Sequence, residues 1–119
     1  MAVLTDSILN TVKEGLNLEA DYDAFDSELI TYINSALSVL TQIGVGSDDG
    51  FDISDSTSTW VDFIGDNDKL LNMVPAYVIL KTKMLFDPPI NSTVMEANKN
   101  ILAEYEWRIN SAVDEMFKN

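Results

Sequence analysis

An apolar stretch from Leu70 to Phe86 is stopped by Asp87-Pro88-Pro89 and followed by a second long segment from Thr93 to Phe117. This pairing constrains the chain more than any other feature. A helix without a polar face has to be covered on several sides, so the predicted helix over 69–86 belongs at the centre of the fold. Lys81 and Lys83 fall near its C-terminal end, where the helix dipole favours cations. Pro88 disfavours α geometry at Asp87, and two consecutive prolines make a stiff corner. Thr93 with Glu96 three residues on has the form of a capping box. The helix predicted over 93–117 gathers Val94, Ile101, Leu102, Tyr105, Ile109, Ala112, Val113 and Met116 on one broad face. Pro75 leaves two alternatives: the helix bends there, or its regular part starts near Pro75 after a separate turn. A strand over Tyr77 to Leu80 fits the length of the run less well.

Upstream elements are shorter and more interrupted. Ile8, Val12 and Leu16 make one apolar stripe, which predicts a helix over 5–16 with Thr5 as N-cap and Leu4 and Leu9 as a hydrophobic staple. An acidic connector follows, with Asp23 placed to cap a second helix over 25–43. In that helix Phe25, Leu29, Ile33, Leu37 or Ala36, Leu40 and Ile43 recur every three or four residues, and Gly44 is a suitable stop. The segment 45–58 mixes Gly, Ser and Asp and predicts a flexible acidic loop or short β-hairpin arm, with Phe51 and Ile53 alternating against polar neighbours. Trp60 and Phe63 lie on one predicted helical turn, as core or interface anchors. The predicted fold is all-α: a small single-domain bundle of about four helices spanning 1–119, with this arm between helices two and three.

Composition excludes several chemistries. The chain has no cysteine and no histidine, which removes thiol catalysis, disulfides, serine triads and the commonest transition-metal ligands. Residues 1–68 carry 14 acids and one base, Lys13, for a net of −13, whereas residues 69–119 carry six of each, for a net of zero. That balance argues against free nucleic acid as a ligand, because phosphate binding needs Lys and Arg. Calcium fails on register: with Gly50 as the sixth residue of an EF-hand loop, the first would be Val45 and the twelfth Ser56. Carboxylate pairs for glycoside hydrolysis have no predictable apolar cleft around them. No signal peptide is expected from Met1-Ala2-Val3-Leu4, and Lys81 and Lys83 break the longest apolar run well short of a membrane span. No catalytic, cofactor or metal residues are expected.

The order and spacing of several stretches resemble the head–tail connector (adaptor, or head-completion) proteins of long-tailed bacteriophages and prophages. The stretches are Tyr77-Val78-Ile79-Leu80-Lys81-Thr82-Lys83-Met84-Leu85-Phe86-Asp87-Pro88-Pro89 and Glu104-Tyr105-Glu106-Trp107-Arg108-Ile109, preceded by Gln42-Ile43-Gly44-Val45-Gly46 and Trp60-Val61-Asp62-Phe63-Ile64-Gly65-Asp66. The resemblance covers roughly Ile8 to Ala112; Pro75 departs from it. It implies a structural virion protein without catalysis or cofactor. Such a protein forms a homo-oligomeric ring, expected as a dodecamer, between the portal protein and a downstream tail or stopper protein. The ring extends the DNA channel at the head–tail junction after assembly in the host cytoplasm. DNA would pass without sequence-specific binding, and no membrane is involved. The residues put forward are Trp60, Phe63 and Trp107 as interface anchors, and Asp48, Asp49, Asp52 and Asp55 as an acidic lumen or arm that orders on contact. The alternative is a non-viral helical protein–protein interaction module.

Overall fold

The chain, a computed structural model, is described over residues 2–116. The described residues form six helical segments: α1 (Ile8–Gly15), α2 (Asp26–Gln42), α3 (Trp60–Ile64), α4 (Asp68–Leu71), α5 (Val74–Phe86) and α6 (Ser92–Met116). The only β pairing among the described residues is a single antiparallel bridge, Ser7 to Thr59. The all-α expectation therefore holds. The predicted end of the last helix at Phe117 lies outside the described residues.

The apolar helix α5 is the hub, packing on α1, α2, α4 and α6. Its buried residues are Val74, Pro75, Tyr77, Val78 and Thr82. Pro75 sits in its first turn, where a missing N–H costs nothing. The helix expected over 69–86 is thus two pieces. Asn67 Oδ1 accepts from the Leu70 N–H at 3.0 Å and starts the short α4, the chain turns through Asn72 and Met73, and α5 begins at Val74.

Two predicted caps move for identifiable reasons. Residues 6–8 pair with 58–60, the Ile8 N–H donating to Ser58 O and the Trp60 N–H to Asp6 O, so α1 cannot begin at Thr5. Ser7 caps it instead, its Oγ accepting from the Asn10 N–H at 3.2 Å. For α6, Asn91 Oδ1 accepts from Thr93 and Val94 N–H at 2.8 and 3.1 Å, so Asn91 rather than Thr93 is the cap.

Helix ends at Asn17 and Gly44 share one device. Asn17 (φ 62°) and Gly44 (φ 107°) are left-handed, and the next residue's N–H reaches back to close the helix: Leu18 to Lys13 O at 2.8 Å, Val45 to Leu40 O at 2.9 Å. This is the Schellman closure. It turns Val45 directly into the core, where it is buried.

The 45–58 segment is neither a hairpin nor a free arm. Asn34 of α2 holds Ile53 by both backbone groups: Nδ2 donates to Ile53 O at 3.0 Å, and the Ile53 N–H donates to Oδ1 at 2.8 Å. Val45 and Ile53 are buried, and Phe51 stacks on Phe63 with centroids 5.2 Å apart. Gly46 (φ 74°) lies so close to this packing that a Cβ there would fall 2.9 Å from Phe63 O. A two-point amide clamp and two buried side chains tie the loop down within the single chain.

Candidate assembly interface

The three proposed anchors have different fates. Trp60 is fully buried and its Nε1 donates to Thr11 Oγ1 of α1 at 3.1 Å. Phe63 is buried beneath Phe51. Both belong to the chain's own core, because the 6–8/58–60 pairing pulls the start of α3 against α1. They offer no surface to a partner. Trp107 does: it is 70% exposed on α6, on the side away from Leu102, Ile109, Ala112 and Val113.

Asp48, Asp49, Asp52 and Asp55 are all exposed on the clamped loop. Asp55 accepts from the Thr57 hydroxyl and backbone N–H, and these bonds hold its carboxyl below the usual carboxylate range. Residues 19–68 contain 12 acids and no base, a net of −12. A small open cleft of about 260 Å³ is lined by Asp49 and Asp52 together with Ser38 and Thr41 of α2. Among the described residues no group of His, Cys, Asp and Glu is arranged to hold a metal ion, and no helix is long and apolar enough to cross a membrane.

Two features escaped the sequence. The first is an aromatic cluster at one end of the bundle. Tyr22 meets Phe25 edge-on at 5.8 Å, and Phe25 meets Phe86 edge-on at 5.2 Å. Tyr22 and Phe25 are 48% and 38% exposed, and Ile90 beyond the proline corner is fully exposed. Phe25, expected in the apolar stripe of the second helix, is its N-cap residue and makes no side-chain cap bond. A capping side chain there contributes about 1 kcal/mol, so phenylalanine at this position forgoes stability. Asp23 contributes only its carbonyl, which accepts from the Asp26 N–H at 3.2 Å.

The second is Lys13, the single base of the first 68 residues, which is 1% exposed. Its Nζ lies 2.8 Å from Asp26 Oδ1 and donates to Ala20 O at 2.9 Å. That ion pair is an electrostatic contact of a buried Asp26 oxygen that accepts no hydrogen bond. Lys13 thereby ties α1, the 17–25 connector and the start of α2 to one point and sets the backbone that carries Tyr22 and Phe25. A positive residue among so many acids is a signal in the sequence, but its partner is visible only in three dimensions.

Inside the hairpin of α5 and α6, Tyr77 is fully buried and its hydroxyl donates to Glu106 Oε2 at 2.7 Å. Burial, reinforced by this carboxylate, pushes the tyrosine pKa far above its ordinary value. The bond fixes the rotation of α6 at Glu106 and so sends the neighbouring Trp107 outward.

The helical scaffold thus leaves aromatic side chains open on two separate surfaces, Trp107 on α6 and Tyr22 with Phe25 at the end of the bundle. A model described as phage connector protein matches residues 8–116, and the chain belongs to that family of phage structural connectors. No curated protein and no solved structure matches the chain.

Proposed function

We propose that this protein forms a ring between the portal and the tail of a phage particle, extending the DNA channel and offering a docking surface to the next connector or tail component. Family membership carries the reading. The single chain adds support through what it leaves exposed: a tryptophan on the outer face of α6 and an aromatic cluster at the end of the bundle. Large aromatic side chains are the usual anchors of protein interfaces.

Asp48, Asp49, Asp52 and Asp55 line the channel in this proposal. Their fixed loop presents four carboxylates with no neighbouring base in sequence, and a negative wall repels passing phosphates. Replacing all four by asparagine should leave folding intact and slow DNA exit or retain DNA in the channel.

The direct test is addition of the purified protein to DNA-filled, portal-bearing heads that lack connectors. Co-sedimentation with the heads, and recovery of their ability to accept tails, is the expected result. Absence of binding to such heads, with equal binding to nothing else of the particle, would remove the reading.

A further inference from the structure

We propose that neighbouring copies of this chain join through a heterologous contact in which Trp107 and Arg108 of one copy seat on the Tyr22–Phe25–Phe86 cluster of the next. The inference rests on the ring reading above and names the surfaces that would build it.

The two surfaces are complementary in kind. The cluster offers ring faces and edges that are partly open, held as a chain of edge-on contacts at 5.8 and 5.2 Å. Acids frame it: Asp21 and Asp23 flank Tyr22, and Asp87 follows Phe86, all exposed. Lys83, one turn before Asp87, is the nearest base in sequence. The opposing surface offers an indole that is 70% exposed, with a guanidinium beside it. Among the described residues Arg108 pairs only with Glu104, at 3.7 Å and with both side chains open to solvent, so it can turn to a stronger partner. Tryptophan and arginine are the side chains most enriched at the energetic centre of interfaces, and arginine also stacks on aromatic faces.

The same copy cannot make this contact with itself. Tyr77 faces Glu106, so Trp107 lies level with the start of α5, whereas Phe86 ends it. Nine residues of helix separate the two levels by roughly 13 Å, and Trp107 points away from α5. Each copy therefore carries one donor surface and one acceptor surface at different places. Such a contact repeats around an axis and closes into a ring when the rotation per copy allows it. It also accounts for phenylalanine at the α2 N-cap, where a polar residue would serve the isolated chain better.

The chain has no cysteine, so placed thiols report the contact cleanly. Ala24 and Ala103 are exposed and stand beside Phe25 and one turn from Trp107. Ala24→Cys protein is mixed with Ala103→Cys protein and treated with a short bismaleimide, both free at high concentration and bound to portal-bearing heads. The expected product is a dimer pairing one copy of each variant, with little product from either variant alone. Trp107→Ala and Phe25→Asn in these backgrounds should each reduce the yield at least tenfold. Phe25→Asn restores a capping side chain, so unchanged thermal unfolding shows that the fold is kept. Mixing Trp107→Ala with Phe25→Asn should restore one good contact and stop at a dimer. Ala24-to-Ala24 products, or no cross-link in either setting while the heads are still bound, would overturn the contact and leave the connector reading standing. Cross-linking in free solution without binding to heads would support the contact and remove the connector reading.

Discussion

Replacing Lys13 should show how strongly one buried cation organises the acidic end of the molecule. Lys13→Met keeps the length of the side chain and removes its charge. It deletes the 2.8 Å ion pair with Asp26 and the 2.9 Å bond to Ala20 O. Breaking a fully buried pair costs about 3–5 kcal/mol, mainly because the remaining charge is stranded. Here the stranded group would be Asp26, whose side chain keeps 30% exposure and lies in the first turn of α2, where the dipole favours an acid. Water and dipole relieve part of the penalty, which reduces the loss to about 2–3 kcal/mol. Asp26→Ala should cost more, about 3–5 kcal/mol, because it strands the ammonium at 1% exposure. The double variant should cost about 2 kcal/mol less than the sum, as expected for directly coupled groups.

Urea unfolding at neutral pH measures all three, with unchanged slope as the sign that the denatured state is the same. A Lys13→Met protein within about 1 kcal/mol of the parent, with additive double-variant behaviour, would refute the argument. The same variant should weaken the proposed contact between copies, because the segment bearing Tyr22 loses its tether at Ala20.

Trp60→Ala should cost about 3–5 kcal/mol through the cavity it leaves, whereas Trp107→Ala should change stability by less than about 0.5 kcal/mol, both read from urea midpoints. Thr82 is fully buried and its hydroxyl has no hydrogen-bond partner among the described residues. Thr82→Val should therefore stabilise the fold by about 1 kcal/mol, and a loss of stability would reveal a partner for that hydroxyl. Ultraviolet titration of the four tyrosines should leave Tyr77 for last. Its native pKa is raised, so its hydrogen bond contributes fully below about pH 10, and stability falls as the pH rises above that value and the unfolded state releases the proton first. Tyr77→Phe should remove this alkaline component.

Periodicity made the helical class legible, and it made α5 the hub because no polar face interrupts its run. Gly44 was legible as a stop because a left-handed residue after an apolar stripe has few other uses. What stayed hidden depends on partners far apart in the chain. The pairing of 6–8 with 58–60 overrides the capping propensity of Thr5 and draws Trp60 into the core. Asn34 acts on Ile53 from 19 residues away and turns a loop of flexible composition into a fixed one. Local composition measures how freely a segment could move, whereas two backbone bonds and two buried side chains decide whether it does. Of the three aromatic anchors, only Trp107 has a surface role open to it, and Tyr22 and Phe25 join it through contacts that no helical period announces.

The distribution of charge acquires a structural meaning once these contacts are in place. A net of −12 over residues 19–68 with no base would push the loop and connector apart if they were free. The fold opposes that repulsion at two points of different chemistry: a buried ammonium from α1 at the connector, and a neutral amide from α2 at the loop. The first is electrostatic and direct, and the second is indifferent to charge and to salt. The loop therefore does not depend on a counter-ion for its shape. The 17–25 connector, by contrast, is tied to the one buried cation among the described residues, and that cation holds in place the backbone bearing Tyr22 and Phe25. Raising the salt concentration should thus leave the loop clamp unaffected and weaken the proposed Arg108 contact between copies before it disturbs Lys13, which lies beyond the reach of screening ions.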